Sequence, residues 1–470
     1  MINRTVSAIA CAALALGAAA QMPAPTDTLR LPLDKCVEIA LDGNPTIKVA
    51  DMEIKRMDYS KRETIGQLLP SVAFGATYSR TLAKQTMYMN MDAFGGGGAG
   101  SEGGEGEGDS GAQQEAPRSN GIKVGLDNSW SVGFTASLPI IAPQLWKSLS
   151  VSDARIIESL EKARESRIDL VNQVKNAYYT LLLADDSYRV IQESYDMAQF
   201  TAQLYEKQFE AGAASQYDVL RTQVAVQNVE PQLTQAQIAI KQARLQLALL
   251  MGVDATAVVV KADHSLAAYE ETMYEHVLGI DRSINQNTSL RLLDIQTRQL
   301  RDALSIQKLS LLPTLALTAN YNWTTMSNGS PVKDLKWNPY SSIGLTFSLP
   351  LFEGFQRSNR IKQARLQVEE MAWQRDNLVR SINMQVDLAV DNINMNIKQI
   401  ASCSESVRQA DTAHDIMQRS FEIGAASYLE LRDSELALTQ SRLAYYQSIY
   451  NYLVADSELE RLLGTAVDDT

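Results

Sequence analysis

Cysteine is nearly absent, with only Cys11, Cys36 and Cys403 in 470 residues. That excludes a disulfide framework, and Cys36 and Cys403 read as isolated thiols or at most one bridge. Histidine is as scarce: His264, His276 and His414 are scattered, and none falls in a triad or a metal-ligand spacing. The chain is therefore read as no enzyme, and neither a cofactor nor a metal site is expected. A surplus of positive charge is also missing. The formal net charge is −12, which excludes nucleic acid as a partner because binding it needs a basic footprint. Beyond residue 20 no apolar run approaches the ~18 residues of a helical membrane span. If this chain enters a membrane, it does so with strands, because backbone amides in lipid are otherwise unpaired.

The first twenty residues differ from the rest. Arg4 gives a short basic start, Val6 to Ala20 is apolar, and Ala18-Ala19-Ala20 precedes Gln21 as a small-residue cleavage site. Residues 1–20 read as a secretory signal peptide, too short for a membrane anchor. Cys11 lies inside the apolar run, which argues against lipid attachment there.

Proline and glycine are missing from Trp146 to Glu210, 65 residues that as helix would extend roughly 100 Å. Within them Tyr188, Ile191, Tyr195, Ala198, Ala202, Tyr205 and Phe209 step by three and four, a heptad seam. The run ends in FEAGAASQYDVL (209–220), and FEIGAASYLELR (421–432) says nearly the same again. At one constant offset Gly212 recurs as Gly424, Ser215 as Ser427, Asp218 as Glu430 and Gly252 as Gly464. Upstream, Asn44, Leu68-Leu69-Pro70 and Ser137-Leu138-Pro139 recur as Asn287, Leu311-Leu312-Pro313 and Ser348-Leu349-Pro350. The chain reads as an internal duplication.

Each half predicts helix, strand, strand, long helix, turn, helix. In the strands, Val72, Phe74, Ala76 and Tyr78 share a face, as do Trp130, Val132, Phe134, Ala136 and Leu138. Leu315, Leu317, Ala319, Tyr321 and Trp323, then Ile343, Leu345, Phe347 and Leu349, repeat the pattern. Period-two alternation with aromatics near the ends is the signature of a transmembrane β-strand, with Pro70, Pro139, Pro313 and Pro350 bracketing the strands. The expected boundaries are a first repeat over 21–260 and a second over 261–470. The first holds strands at about 71–81 and 129–138, a Gly/Glu-rich loop over 82–128 and a helical hairpin over 146–252. The second holds strands at about 314–324 and 342–349 and a hairpin over 358–464. The loop contains GGGGAGSEGGEGEGDSG (95–111), a flexible acidic composition. MYMNMD (87–92) sets three methionines at alternate positions, suited to a soft metal such as Cu(I) but more plainly a strand extension.

Four strands cannot close a membrane barrel, so the chain must oligomerise; three copies give twelve strands. Long hairpins with narrow seams likewise need neighbours on both sides, as a symmetric ring provides. The duplication, DGNP (42–45), the paired LLP and SLP, LFEGFQR (351–357), the FExGAAS turns and the closing LLG together resemble the TolC-like outer-membrane efflux proteins. The resemblance implies a mixed α and β membrane protein: a homotrimer whose twelve-stranded outer-membrane barrel continues into a long periplasmic helical barrel. It implies an exit channel in the outer membrane, in contact with its lipid, that docks a periplasmic adaptor linked to an inner-membrane transporter. A non-pore periplasmic coiled-coil scaffold is the alternative, and the four alternating strands argue against it. Thr288 where the first half has Pro45, and IIAPQLWKS (140–148) where the second has LFEGFQRS (351–358), depart between the halves.

Two groups of candidate residues follow. Glu430 and Asp433 match the acidic positions with which the family constricts its periplasmic mouth, with Arg432 as a tether and Asp218 in the equivalent first-half register. The plainer role for such carboxylates is at the helix N-terminus. The turn residues Gly212, Ala213, Ala214, Ser215, Gly424, Ala425, Ala426 and Ser427 are the adaptor-docking candidates, small enough for a partner to approach. Turn formation alone also accounts for the glycine and serine.

Overall fold

The computed structural model describes residues 28–87, 122–253, 259–262, 264–270, 273, 282–330, 332 and 335–465. The proposed signal peptide, His276, most of the Gly/Glu-rich loop and MYMNMD beyond Met87 lie outside the described residues. Two compact units arise, each drawn from both halves of the sequence: Met1–Tyr59, Asp153–Arg301 and Leu366–Thr470 form one, Ser60–Ser152 and Asp302–Arg365 the other.

The elements, in order, are β1 (Thr28–Leu31), α1 (Leu33–Gly43), α2 (Pro45–Gly66), β2 (Ser71–Arg80), β3 (Gln85–Met87), β4 (Ile122–Val124) and β5 (Asn128–Ile141). There follow α3 (Pro143–Glu210), α4 (Gln216–Met251), β6 (Val259–Ala262), α5 (Thr288–Leu309), β7 (Thr314–Ser327), β8 (Asn338–Ser348), α6 (Gln356–Glu422) and α7 (Tyr428–Leu463). Helices α3 and α6 have 68 and 67 residues; α4 and α7 have 36 each.

The helical unit is built on a core where α3 supplies Ile168, Val171, Val174, Leu181 and Leu182, α6 supplies Ile382, Val386 and Ile393, and α7 supplies Ile449, Tyr452 and Leu459. Cys36 and Val37 of α1 and Leu247 and Met251 of α4 complete it. Both Cys36 and Cys403 are free, and burial pushes the Cys36 thiol up to about 11, so it packs as an inert apolar side chain. The expected single heptad seam is broader in the structure. Val190, Ala198 and Thr201 are the buried positions, Tyr188, Ile191, Tyr195 and Tyr205 are half-buried, and Phe209 is exposed. A helix flanked on two sides spreads its burial over a wide stripe. The segment after α4 is tied to the helices by buried Asp186, whose carboxylate accepts from Ser265 Oγ and from the Leu266 amide at 2.8 Å.

In the second unit β2, β5, β7 and β8 form one antiparallel sheet in that order, leaving β2 and β8 as edges. The register aligns Val72, Ala136, Ala319 and Ile343 across the sheet, and Leu138, Leu317 and Leu345 further along. The apolar set of every strand thus lands on one face. The other face aligns Ala73, Thr135, Asn320 and Ser342, then Ser71, Ser137, Thr318 and Gly344. Pro139, expected to end its strand, is inside β5, and the register shifts between Pro139 and Ile141. A bulge there accommodates the missing amide donor and lets the strand run to Ile141.

Candidate functional site

Two regions hold what the fold leaves unsatisfied: the sheet and the hairpin turns. On the sheet, Val72 is 69% exposed, Ile343 81% and Phe347 64%. Aromatic rings share this face, with Tyr78 and Trp130 centroids at 4.5 Å, Phe74 and Phe134 at 5.1 Å and Tyr321 and Trp323 at 4.6 Å. The 11 residues of β8, at ~3.3 Å each and tilted by ~40°, cover about 25–30 Å, the height of a barrel's lipid-facing band. An apolar face this continuous, beside a hydroxyl- and amide-bearing opposite face, suits lipid on one side and water on the other.

The turns are built twice by the same local chemistry. Gly212 and Gly424 both take φ +75°, and the amides of Ala213 and Ala425 reach back five residues to the Gln208 and Ser420 carbonyls at 2.7 and 2.8 Å. This closes the preceding helix with a left-handed cap that glycine adopts without strain. Ser215 then opens α4 and Ser427 opens α7, each in a reciprocal box. The Asp218 amide donates to Ser215 Oγ at 3.2 Å while the Ser215 amide donates to Asp218 Oδ2 at 3.3 Å. For Ser427 and Glu430 the distances are 3.4 and 2.8 Å. The amide and hydroxyl of Ser427 hold the Glu430 carboxyl below the usual glutamate range.

The capping role therefore applies to Asp218 and Glu430 directly. Asp433 is exposed one turn on, while Arg432 acts on Glu435, partly offsetting the burial that pushes the Glu435 carboxyl up. Ala213 and Ala425 are exposed, Ala214 and Ala426 half-buried.

Sequence reasoning missed the contacts that join the two hairpins. Tyr205 of α3 meets Tyr428 of α7 at 5.6 Å and Phe421 of α6 at 6.4 Å, and the Arg221 guanidinium lies 5.6 Å over the Tyr428 ring. Farther along, Arg442 of α7 binds Glu193 of α3 at 2.8 Å and Asp411 of α6 at 2.9 Å. Buried His414 lines the same polar cavity of about 260 Å³ together with Glu435 and Arg442. The helical periodicity flags these residues as surface or seam, and no spacing within one helix shows which other helix they meet.

The sheet has one face suited to lipid, and the helical unit holds two long hairpins. The outer membrane efflux protein model matches residues 36–253 and 279–465, and the chain belongs to that family. It is an outer-membrane efflux channel. The chain is 22% identical over 337 residues to outer membrane protein TolC of Vibrio cholerae, covering 71% of this chain and 76% of the relative. It is 22% identical to the pyoverdine export outer membrane protein OpmQ of Pseudomonas aeruginosa, covering 72% of this chain and 70% of the relative. Its fold is similar to the Campylobacter jejuni CmeC outer membrane channel, with a TM-score of 0.68 at 17% identity over 92% of this chain and 86% of that one.

Proposed function

We propose that three copies of the chain join edge to edge, β8 of one to β2 of the next, and close a twelve-stranded barrel in the outer membrane. The observation that carries this reading is the four-stranded sheet, with two edges unpaired among the described residues and one continuous apolar face. Open edges in lipid leave backbone groups unpaired at several kcal/mol each, and closure by like copies removes them. The hairpins of the three copies would form the periplasmic tube, and the two similar halves of each chain descend from one duplicated unit. Substrate enters from a periplasmic adaptor and an inner-membrane transporter and leaves through the barrel, with no chemistry performed on it.

The turns Gly212–Ser215 and Gly424–Ser427 are the adaptor-docking surface, where glycine, alanine and serine let another hairpin approach. Glu430 and Asp433 form the acidic periplasmic gate, with Asp218 and Arg432 beside it. Asp433 is the exposed carboxylate of the set, whereas Glu430 also caps its helix. The test is single-channel recording from the purified full chain in planar bilayers. Cation-favouring currents that rise when Glu430→Gln and Asp433→Asn are combined support the gate. A folded trimer that carries no current overturns the pore.

A further inference from the structure

The turn between β8 and α6 has features that barrel closure does not use. The stripe of Ile343, Leu345 and Phe347 continues past the end of β8 at Leu349 and Leu351, and Leu351 is 89% exposed. Phe355 takes φ +64°, a left-handed conformation unfavourable for so bulky a side chain, next to Gly354 at +57°. The turn leaves the Phe352 and Phe355 rings edge to face at 5.4 Å, both of them exposed. Burying neither ring in the fold, a strained turn is held in place by Arg357, which pairs with Glu353 at 2.7 Å and donates to the Ser310 carbonyl.

Directly behind this wedge the sequence turns basic in an otherwise acidic chain: Arg357, Arg360, Lys362 and Arg365 against the one acid, Glu353. Glu353 is engaged by Arg357. Arg360, Lys362 and Arg365 are exposed; Arg360 is near enough to act on the Glu353 carboxylate, and among the described residues no ion pair holds Lys362 or Arg365. Helix α6 has no acidic residue in its first turn, and cations at a helix N-terminus oppose its dipole, so helix stability does not account for them. The matching joint of the first half differs: Lys147, beside exposed Trp146, is neutralised by Asp302 at 2.6 Å.

We propose that Leu351, Phe352 and Phe355, with Arg360, Lys362 and Arg365, form a docking surface for anionic phospholipid in the periplasmic leaflet of the outer membrane. The inference rests on the reading of the sheet as a barrel wall. In the proposed barrel, neighbours join through strand edges, so the apolar face of the sheet and the residues that extend it past β8, Leu349 and Leu351, are left to lipid. Exposed aromatics followed at once by cations are what a membrane boundary selects: rings at the headgroup level, positive charge on phosphate.

The test is native mass spectrometry of the full chain in detergent, titrated with phosphatidylglycerol or phosphatidylethanolamine. The expected result is at least about tenfold tighter binding of phosphatidylglycerol. Arg360→Gln, Lys362→Gln and Arg365→Gln together remove that preference, while Phe352→Ser with Phe355→Ser weakens both lipids and spares the ratio. Equal binding of the two lipids by the native chain, or a preference that survives the triple substitution, overturns the proposal. So does a triple variant that loses its oligomeric state while keeping the lipid preference, which assigns the surface to another copy. Conductance of the same samples is read separately: absence of current from the native trimer defeats the pore reading, whatever the lipid ratio.

Discussion

Asn287 donates its side-chain amide to the Leu462 carbonyl at 2.8 Å, and Asn44 makes the same bond to the Leu250 carbonyl at 2.7 Å. Each asparagine also caps the helix it precedes, accepting from the Leu290 or Thr46 amide. The glycine two residues after each carbonyl closes the contact: a Cβ on Gly464 would lie 2.2 Å from the Gln286 carbonyl oxygen, and one on Gly252 2.7 Å from that of Gly43. Asn287→Ala leaves a buried carbonyl without its donor and costs about 1–3 kcal/mol. Gly464→Ala adds a clash to a backbone at φ +79° and destabilises more. Thermal unfolding of the two variants checks the order.

On the sheet, Gly133 faces Asn322 so closely that an added Cβ would meet Asn322 Oδ1 at 1.9 Å and the Tyr321 carbonyl oxygen at 2.5 Å. Gly133→Val forces β5 and β7 apart. Loss of the proposed trimer on native gel electrophoresis is the expected outcome, while Gly75→Ala, with no atom within 4 Å of the added Cβ, leaves the trimer intact.

Arg442 joins α7 to Glu193 and Asp411 on two other helices, all partly exposed. Arg442→Gln changes stability by less than about 1 kcal/mol, because solvent screens exposed pairs. It frees the middle of α7 from α3 and α6, so in the proposed channel current in bilayers rises at nearly unchanged melting temperature. Current equal to that of the native chain counts against a role of Arg442 in holding the channel closed.

Acid loosens the second turn. Glu430 has a folded-state value below its ordinary one, so its cap is complete above the ordinary glutamate range and is lost as pH falls through the folded value. Protection of the Ser427 amide against hydrogen exchange, corrected for intrinsic rates, is expected to fall over that window. In Glu430→Gln the fall is absent.

Much of this protein is written locally. Gly212, Ser215 and Asp218, with their second-half counterparts, specify left-handed cap and capping box within a few residues, and the turns form accordingly. Period-two patterning in Val72–Tyr78 and Ile343–Leu349 already separates a lipid-suited face from a polar one, because side chains alternate whatever the strand pairs with. Thr288 stands where the first half has Pro45, yet Asn287 caps α5 as Asn44 caps α2, since the asparagine and not the following residue makes the bonds.

What sequence alone determined is therefore the set of elements, their order, their repetition and the faces they present, since each depends on residues close in the chain. Tertiary structure decided the strand order β2-β5-β7-β8, the bulge after Pro139, the junction of Asn287 with Leu462, and the meeting of Arg442 with Glu193 and Asp411. These bring together residues far apart in sequence. Such pairings are chosen by the packing and register of whole elements, which no local pattern encodes.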